Sequence, residues 1–189
     1  WGMNMRRFVE KGYDEGSYAE TYKRSASSLD SFEKELISQL LERIPKKSRI
    51  LDLGCGVGVP YDKYLAGKGH DVVGIDISSK HVAIAQNNVR NAAFIRGDFS
   101  KFRFNKKFDA MVSFYAVFHI PRAEHKKLFK KMHSDLNKNG LILVTLGADD
   151  MKLEVNKFIG SKMAWSSYGI EKNKKLLTES GFKILLSAE

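Results

Sequence analysis

Between residues 49 and 147, short apolar runs alternate with stretches of helical period, a pattern that few architectures accommodate. The runs "RILDLG" (49–54), "DVVGID" (71–76), "AAFIRG" (92–97), "FDAMVSFY" (108–115) and "GLILVTLG" (140–147) each read as a buried strand. Pro60 suits the first turn of a helix after the first run. Ser78 or Ser79 caps a helix through Asn88, and "PRAEHKKLFKKMHSDL" (121–136) opens a helix on a proline. The alternation predicts an α/β fold, a doubly wound and mostly parallel sheet with helices on both faces. In such sheets ligands lie beyond the carboxyl ends of the strands, where the strand order reverses.

The flanks are less regular. Residues 3 to 27 are polar, carry several tyrosines and show no clear period. From Leu29, the positions Leu29, Phe32, Leu36 and Leu40, with Ile37, Leu41 and Ile44, repeat at helical spacing, with Ser28 as cap and Pro45 as stop. Residues 151–180 read as helical in two pieces around "AWSSYG", and "GFKILLS" (181–187) as a final strand. Trp1-Gly2 ahead of Met3 reads as an added remnant. With no repeat or interdomain linker, the 189 residues are expected to form one domain, with 1–47 as an N-terminal helical segment and 48–189 as the ligand-binding part.

Composition narrows the function classes. Hydrophobic residues make up 43% and charged residues 29%, and no apolar run approaches the ~20 residues of a membrane span. Cys55 is the single cysteine, so no intrachain disulfide forms, and the chain reads as cytoplasmic with no secretory leader. The five histidines make no HxxxH or HExxH pair, and no metal site is expected. A net charge of +10 leaves a polyanion such as RNA as a candidate partner. The lysines are spread in pairs, which reads first as a solvated surface.

The run "ILDLGCGVGVP" (50–60) places Gly54, Gly56 and Gly58 at alternate positions directly after a strand. Glycine weakens a strand, so three of them point to a ligand lying against the backbone. No GK[ST] follows, which excludes a phosphate-binding NTPase loop. The spacing is GxGxG, and Asp52 precedes it, where a carboxylate repels pyrophosphate and suits a cation. Asp76 ends the second run, 22 residues after Gly54, placed to accept ribose hydroxyls.

On these residues the chain resembles the class I S-adenosylmethionine-dependent methyltransferases, whose Rossmann-like fold agrees with the alternation. "LDLGCGVG" resembles the first motif of that family, "VVGIDIS" the second and "IRGDF" the third; "FDAMVSFYAVFHI" and "LNKNGLILVT" resemble the fourth and fifth. The resemblance implies S-adenosyl-L-methionine as cofactor and S-adenosyl-L-homocysteine as product. It implies that Gly54, Gly56 and Gly58 admit the methionine part and ribose, with Cys55 a small filler in the loop. Asp52 would serve the amino head and Asp76 the ribose; Ile77 and Asp98 would serve the adenine, with Phe99 beside it and Phe114 beside the methionine moiety. "GYDEGSYAETY" resembles a segment that folds over the cofactor, with Tyr13, Tyr18 and Tyr22 as closing residues. The family's sheet ends on a pair of strands of which this chain supplies one, so an unpaired edge is expected.

The acceptor is less legible. After the fourth run stand Ser113-Phe114-Tyr115-Ala116, without the [DNS]PP[YFW] of amino-methylating nucleic-acid enzymes or the paired glutamates of protein arginine methyltransferases. The segment resembles instead methyltransferases of small molecules, which implies transfer to an O, N or S atom. His119 is the candidate base, since imidazole titrates near neutrality, and Tyr115 an orienting neighbour; packing roles stay open for both. Within 150–180, expected to be an insertion that builds the acceptor pocket, Trp165 and Tyr168 would give apolar walls and Ser166 a hydrogen bond. An RNA methyltransferase and a non-catalytic cofactor-binding protein remain as alternatives. Oligomeric state is not legible.

Overall fold

The five apolar runs form one parallel sheet in the computed structural model, which describes residues 2–18, 20–21 and 28–188. Its strands are β1 (Arg49–Leu53), β2 (Asp71–Asp76), β3 (Ala93–Arg96), β4 (Phe108–Ser113) and β5 (Leu136–Val144), in the order β3-β2-β1-β4-β5. All four pairings are parallel. The chain winds outward from β1 to β3, then crosses back to β4. The reversal falls between β1 and β4, and their carboxyl ends mark the ligand crevice.

Described helices are α1 (Gly2–Glu15), α2 (Ser31–Leu41), α3 (Tyr61–Gly67), α4 (Ser79–Asn88), α5 (His125–Asp135) and α6 (Ile170–Glu179). Alternate residues of β1 serve opposite faces. Ile50 packs with Ile37 and Leu40 of α2, Leu65 of α3 and Ala85 of α4, while Leu51 and Leu53 pack with Leu128, Phe129 and Met132 of α5 and Leu176 of α6. Both faces are covered, the doubly wound arrangement. A smaller cluster joins Met5 and Val9 of α1 to Met163 and Ala164.

Four local readings are corrected. The segment expected to lack a period holds one over α1: Met5, Phe8, Val9, Gly12 and Tyr13 share one face of that helix, and Met5 and Val9 are buried. The cap of α2 is Asp30, which accepts from Glu33 N, and not Ser28. Residues 151–167 are not helical. They form an antiparallel hairpin of β6 (Met151–Phe158) and β7 (Ser161–Ser167), turned by Ile159 and Gly160 at φ 43° and 85°. Finally, residues 182–188 pair with no described strand, and Ile184, Leu185 and Leu186 are exposed. The edge of the sheet is therefore β5 itself, and a lone apolar segment without a neighbouring ladder has no reason to become a strand.

The hairpin lies beside the carboxyl rim, and α1 packs on β7. Gly12 makes that approach possible, because a Cβ there would stand 2.7 Å from the Lys162 carbonyl oxygen. No helix among the described residues is long and apolar enough to cross a membrane.

Candidate active site

At the carboxyl ends of β1, β2 and β4 the glycine loop, Asp76, Asp98, Phe114 and His119 line a pocket of about 790 Å³ that opens partly to solvent. The loop is built for close approach. Gly54 adopts φ 83° with its missing Cβ 2.3 Å from the Ala116 Cβ, whereas Gly56 adopts φ 54° with nothing within 4 Å of where its Cβ would stand. Only glycine fits the first position, and the second leaves bare backbone on the pocket wall.

Asp76 is positioned by two backbone donors, Gly56 N to Oδ2 and Ser78 N to Oδ1, each at 2.9 Å. Beneath the loop, out of the pocket, Asp52 meets Asp62 of α3, and both are buried. Burial raises both, Asp62 to about 7; the nearby Asp62 carboxyl raises Asp52 further, while Asp52 pulls Asp62 part of the way back. The Cys55 thiol is pushed well up by burial and by the charges of Asp62, Asp76 and Asp52. It is inert packing, not a nucleophile.

Helix α1 lies across the pocket mouth and is tied at three points. Arg6 sets its Nε 2.6 Å from Asp98 Oδ2 and donates to Glu124 Oε1 at 2.9 Å. Glu10 accepts from Arg96 at 2.9 Å, and Asp14 accepts from Ser78 Oγ at 2.6 Å. One residue before Asp14, the Tyr13 hydroxyl stands 2.8 Å from His119 Nε2, and His119 Nδ1 stands 2.8 Å from the Ala164 carbonyl oxygen. A carbonyl only accepts, so Nδ1 carries the proton and Nε2 accepts from Tyr13. Burial pushes the imidazole down to about 4, against smaller opposing pulls from Ala164 and Asp76. His119 is neutral around pH 7.

Residues 50–140 match the family described as a methyltransferase domain. The chain is 28% identical over 135 residues to an uncharacterized methyltransferase of Alkaliphilus oremlandii, covering 67% of this chain and 62% of that protein. It is 43% identical over 70 residues to an S-adenosyl-L-methionine-dependent Diels-Alderase of Neonectria sp., covering 37% and 28%. In fold it is similar to an S-adenosylmethionine-dependent methyltransferase of Clostridium acetobutylicum, with a TM-score of 0.70, 18% identity and coverage of 89% and 88%. The fold is that of the S-adenosylmethionine-dependent methyltransferases, and the family match within it covers residues 50–140. The chain spans between 56% and 66% of the length of the first curated relatives that it matches.

The pocket of the methyltransferase domain fits its cofactor. The rim offers Asp76, bare backbone at Gly56 and the apolar walls Ile77, Phe99 and Phe114, and the one Lys or Arg lining it among the described residues, Arg6, is held by Asp98 and Glu124. Tyr61 stacks flat on Phe114, centroids 4.0 Å apart, and fixes that ring. Asp98 lines the pocket with one oxygen committed to Ser100 and the other beside Arg6. Tyr115 also lines it, at φ 57°, with its amide donating to Thr145 Oγ1.

Other expected residues are placed elsewhere. Asp52 lies under the loop against Asp62, and Gly58 faces Ala85 and Phe94 of the core. Ser166 is buried with its hydroxyl bonded to Arg122 N and the Lys152 carbonyl, and Tyr168 lies under the Arg122 guanidinium. Neither reaches the pocket, because the hairpin turns both towards the α5 side. Trp165 touches the His119 ring, 5.9 Å between centroids, and walls a neighbouring cleft with Phe118 and Met151. Tyr22 lies outside the described residues. Sequence reading missed Arg6 and His81, which both line the pocket. The spacing of His81, one helical turn beyond Ile77, was the available signal.

Proposed function

We propose that this chain transfers the methyl group of S-adenosylmethionine to an O, N or S atom of a small-molecule acceptor. The observation that carries this reading is α1, tied across the pocket mouth by Arg6, Glu10 and Asp14. A covered pocket admits a small metabolite and shuts out a folded polymer. When bound, the cofactor supplies an electrophilic methyl carbon on a positively charged sulfur. Asp76 and the glycine loop would hold its ribose and methionine ends, Ile77, Asp98 and Phe99 its adenine, and Phe114 would wall the reacting centre.

The acceptor's lone pair forms the new bond to carbon as the carbon–sulfur bond breaks, and the acceptor's proton has to leave. Tyr13 and His119 are placed for that step. The phenol oxygen takes the acceptor proton while its own passes to Nε2, the Ala164 carbonyl holding the opposite nitrogen. An imidazole pushed to about 4 holds a proton weakly, so it releases it again to solvent. Tyr115 at the rim is the candidate for orienting the acceptor. The single buried cysteine agrees with a cytoplasmic setting.

A second reading keeps the cofactor and drops the transfer, and the likeness to the Diels-Alderase favours it. Purified protein incubated with methyl-labelled S-adenosylmethionine and fractionated cell extract separates the readings. Label in low-molecular-weight material, lost in Asp76→Ala and reduced in Tyr13→Phe, supports the small-molecule enzyme. Label in RNA overturns the acceptor class and gives the +10 charge a role. Cofactor binding without label in any fraction favours the second reading.

A further inference from the structure

His81 sits in the first turn of α4, is 1% exposed, and lines the cofactor pocket. Neither of its ring nitrogens has a hydrogen-bond partner among the described residues. A buried imidazole always carries at least one N–H, and leaving it unmet is costly unless a ligand meets it. The ring is also held in place. The Tyr13 ring lies 4.9 Å away and the Tyr18 ring 5.6 Å, while His81 N donates to Ser78 Oγ at 3.0 Å and fixes the backbone.

Its Nδ1 stands 3.7 Å from Asp76 Oδ1. That separation is too long for a direct hydrogen bond, and one oxygen set to the side of the line between the two groups reaches both at hydrogen-bond distance. Asp76 can only accept. A ribose hydroxyl that donates to it retains lone pairs that need a donor, and the nearby cations are spent: Arg6 on Asp98 and Glu124, Lys80 on Glu20 and the Gly16 carbonyl. We propose that His81 donates a hydrogen bond to a ribose hydroxyl of the bound cofactor, so that one hydroxyl is shared between His81 and Asp76. The assignment rests on the cofactor reading above. It makes His81 a specificity-determining residue, one that distinguishes a ribonucleoside from its deoxy counterpart.

The test is calorimetric titration of S-adenosylhomocysteine and its 2′-deoxy and 3′-deoxy analogues into wild type, His81→Phe and His81→Gln. The product is used so that no turnover intervenes, and melts of the ligand-free variants check folding. Wild type is expected to bind one deoxy analogue more weakly than the parent. His81→Phe should lose roughly 3- to 10-fold for the parent, the worth of one neutral hydrogen bond. It should lose nothing further for that analogue, and His81→Gln, which keeps a donor, should recover part of the loss. Equal weakening of all three ligands by His81→Phe would mean that the ring only packs, and unchanged parent affinity would mean that it does nothing; either overturns the assignment. Failure of wild type to bind S-adenosylhomocysteine at all would overturn the cofactor reading itself.

Discussion

An imidazole whose Nδ1 proton is given to Ala164 and whose Nε2 is taken by Tyr13 differs chemically from the free base that its position after β4 suggests. Its pKa is pushed to about 4 by burial, so the neutral ring persists well below pH 6.5. The expected pH profile of kcat/KM therefore has no acid limb near 6.5 from this residue. The fall comes only as pH drops towards 4, and His119→Ala lowers kcat about 100-fold or more at pH 7.5. A limb at 6.5 that vanishes in His119→Ala would show that the ring is exposed during turnover. Much of this residue-scale chemistry was legible. Asp76, Gly54 and Gly56 are local, fixed by a strand end and a turn, so their spacing was enough to expect them at the pocket. Ser166 and Tyr168 were misplaced because their direction depends on a hairpin, and the value of His81 depends on partners that only the folded chain supplies.

The hairpin shows why elements were misread. "MKLEVNKF" is rich in good helix formers, yet Met151, Leu153 and Val155 alternate, and Ile159-Gly160 supplies two consecutive positive φ angles, the geometry of a two-residue hairpin turn. Period and turn agreed on strands, and propensity gave way. In α1 the period was present but masked by Gly12, and Gly16 follows directly after the helix. Both glycines face crowded backbone, and a Cβ on Gly12 would press on the Lys162 carbonyl. Gly12→Ala is therefore expected to destabilise the protein by about 1–3 kcal/mol, although alanine is the better helix former. A thermal melt checks it: a higher melting temperature in Gly12→Ala would mean that α1 does not seat on β7.

At the scale of the molecule, two buried groups pull stability in opposite directions between about pH 4 and 7. Asp62 is raised to about 7, so its contribution is complete below the ordinary carboxylate range and is lost as pH rises through 7. His119 is lowered to about 4, so its contribution is present above 6.5 and is lost as pH falls through 4. Asp62→Asn removes the first without touching the pocket lining. Its melting temperature relative to wild type should climb as pH goes from 5 to 8, and a constant difference would show that Asp62 ionises normally. The parallel, doubly wound architecture was readable from the alternation of strands and helices, and so was an unpaired edge; that this edge is β5, and that residues 182–188 pair with no described strand, was not, since pairing belongs to the assembled sheet.

The three ties on α1 carry a consequence for timing. A product under a strapped cover escapes only when Arg6, Glu10 and Asp14 let go together, so the clock of the reaction can be the lifting of a helix instead of the breaking of a bond. Of the three, the Glu10–Arg96 ion pair is the most exposed, and dissolved ions weaken such an attraction. Moderate salt would then quicken the steady-state rate while leaving the first turnover unchanged.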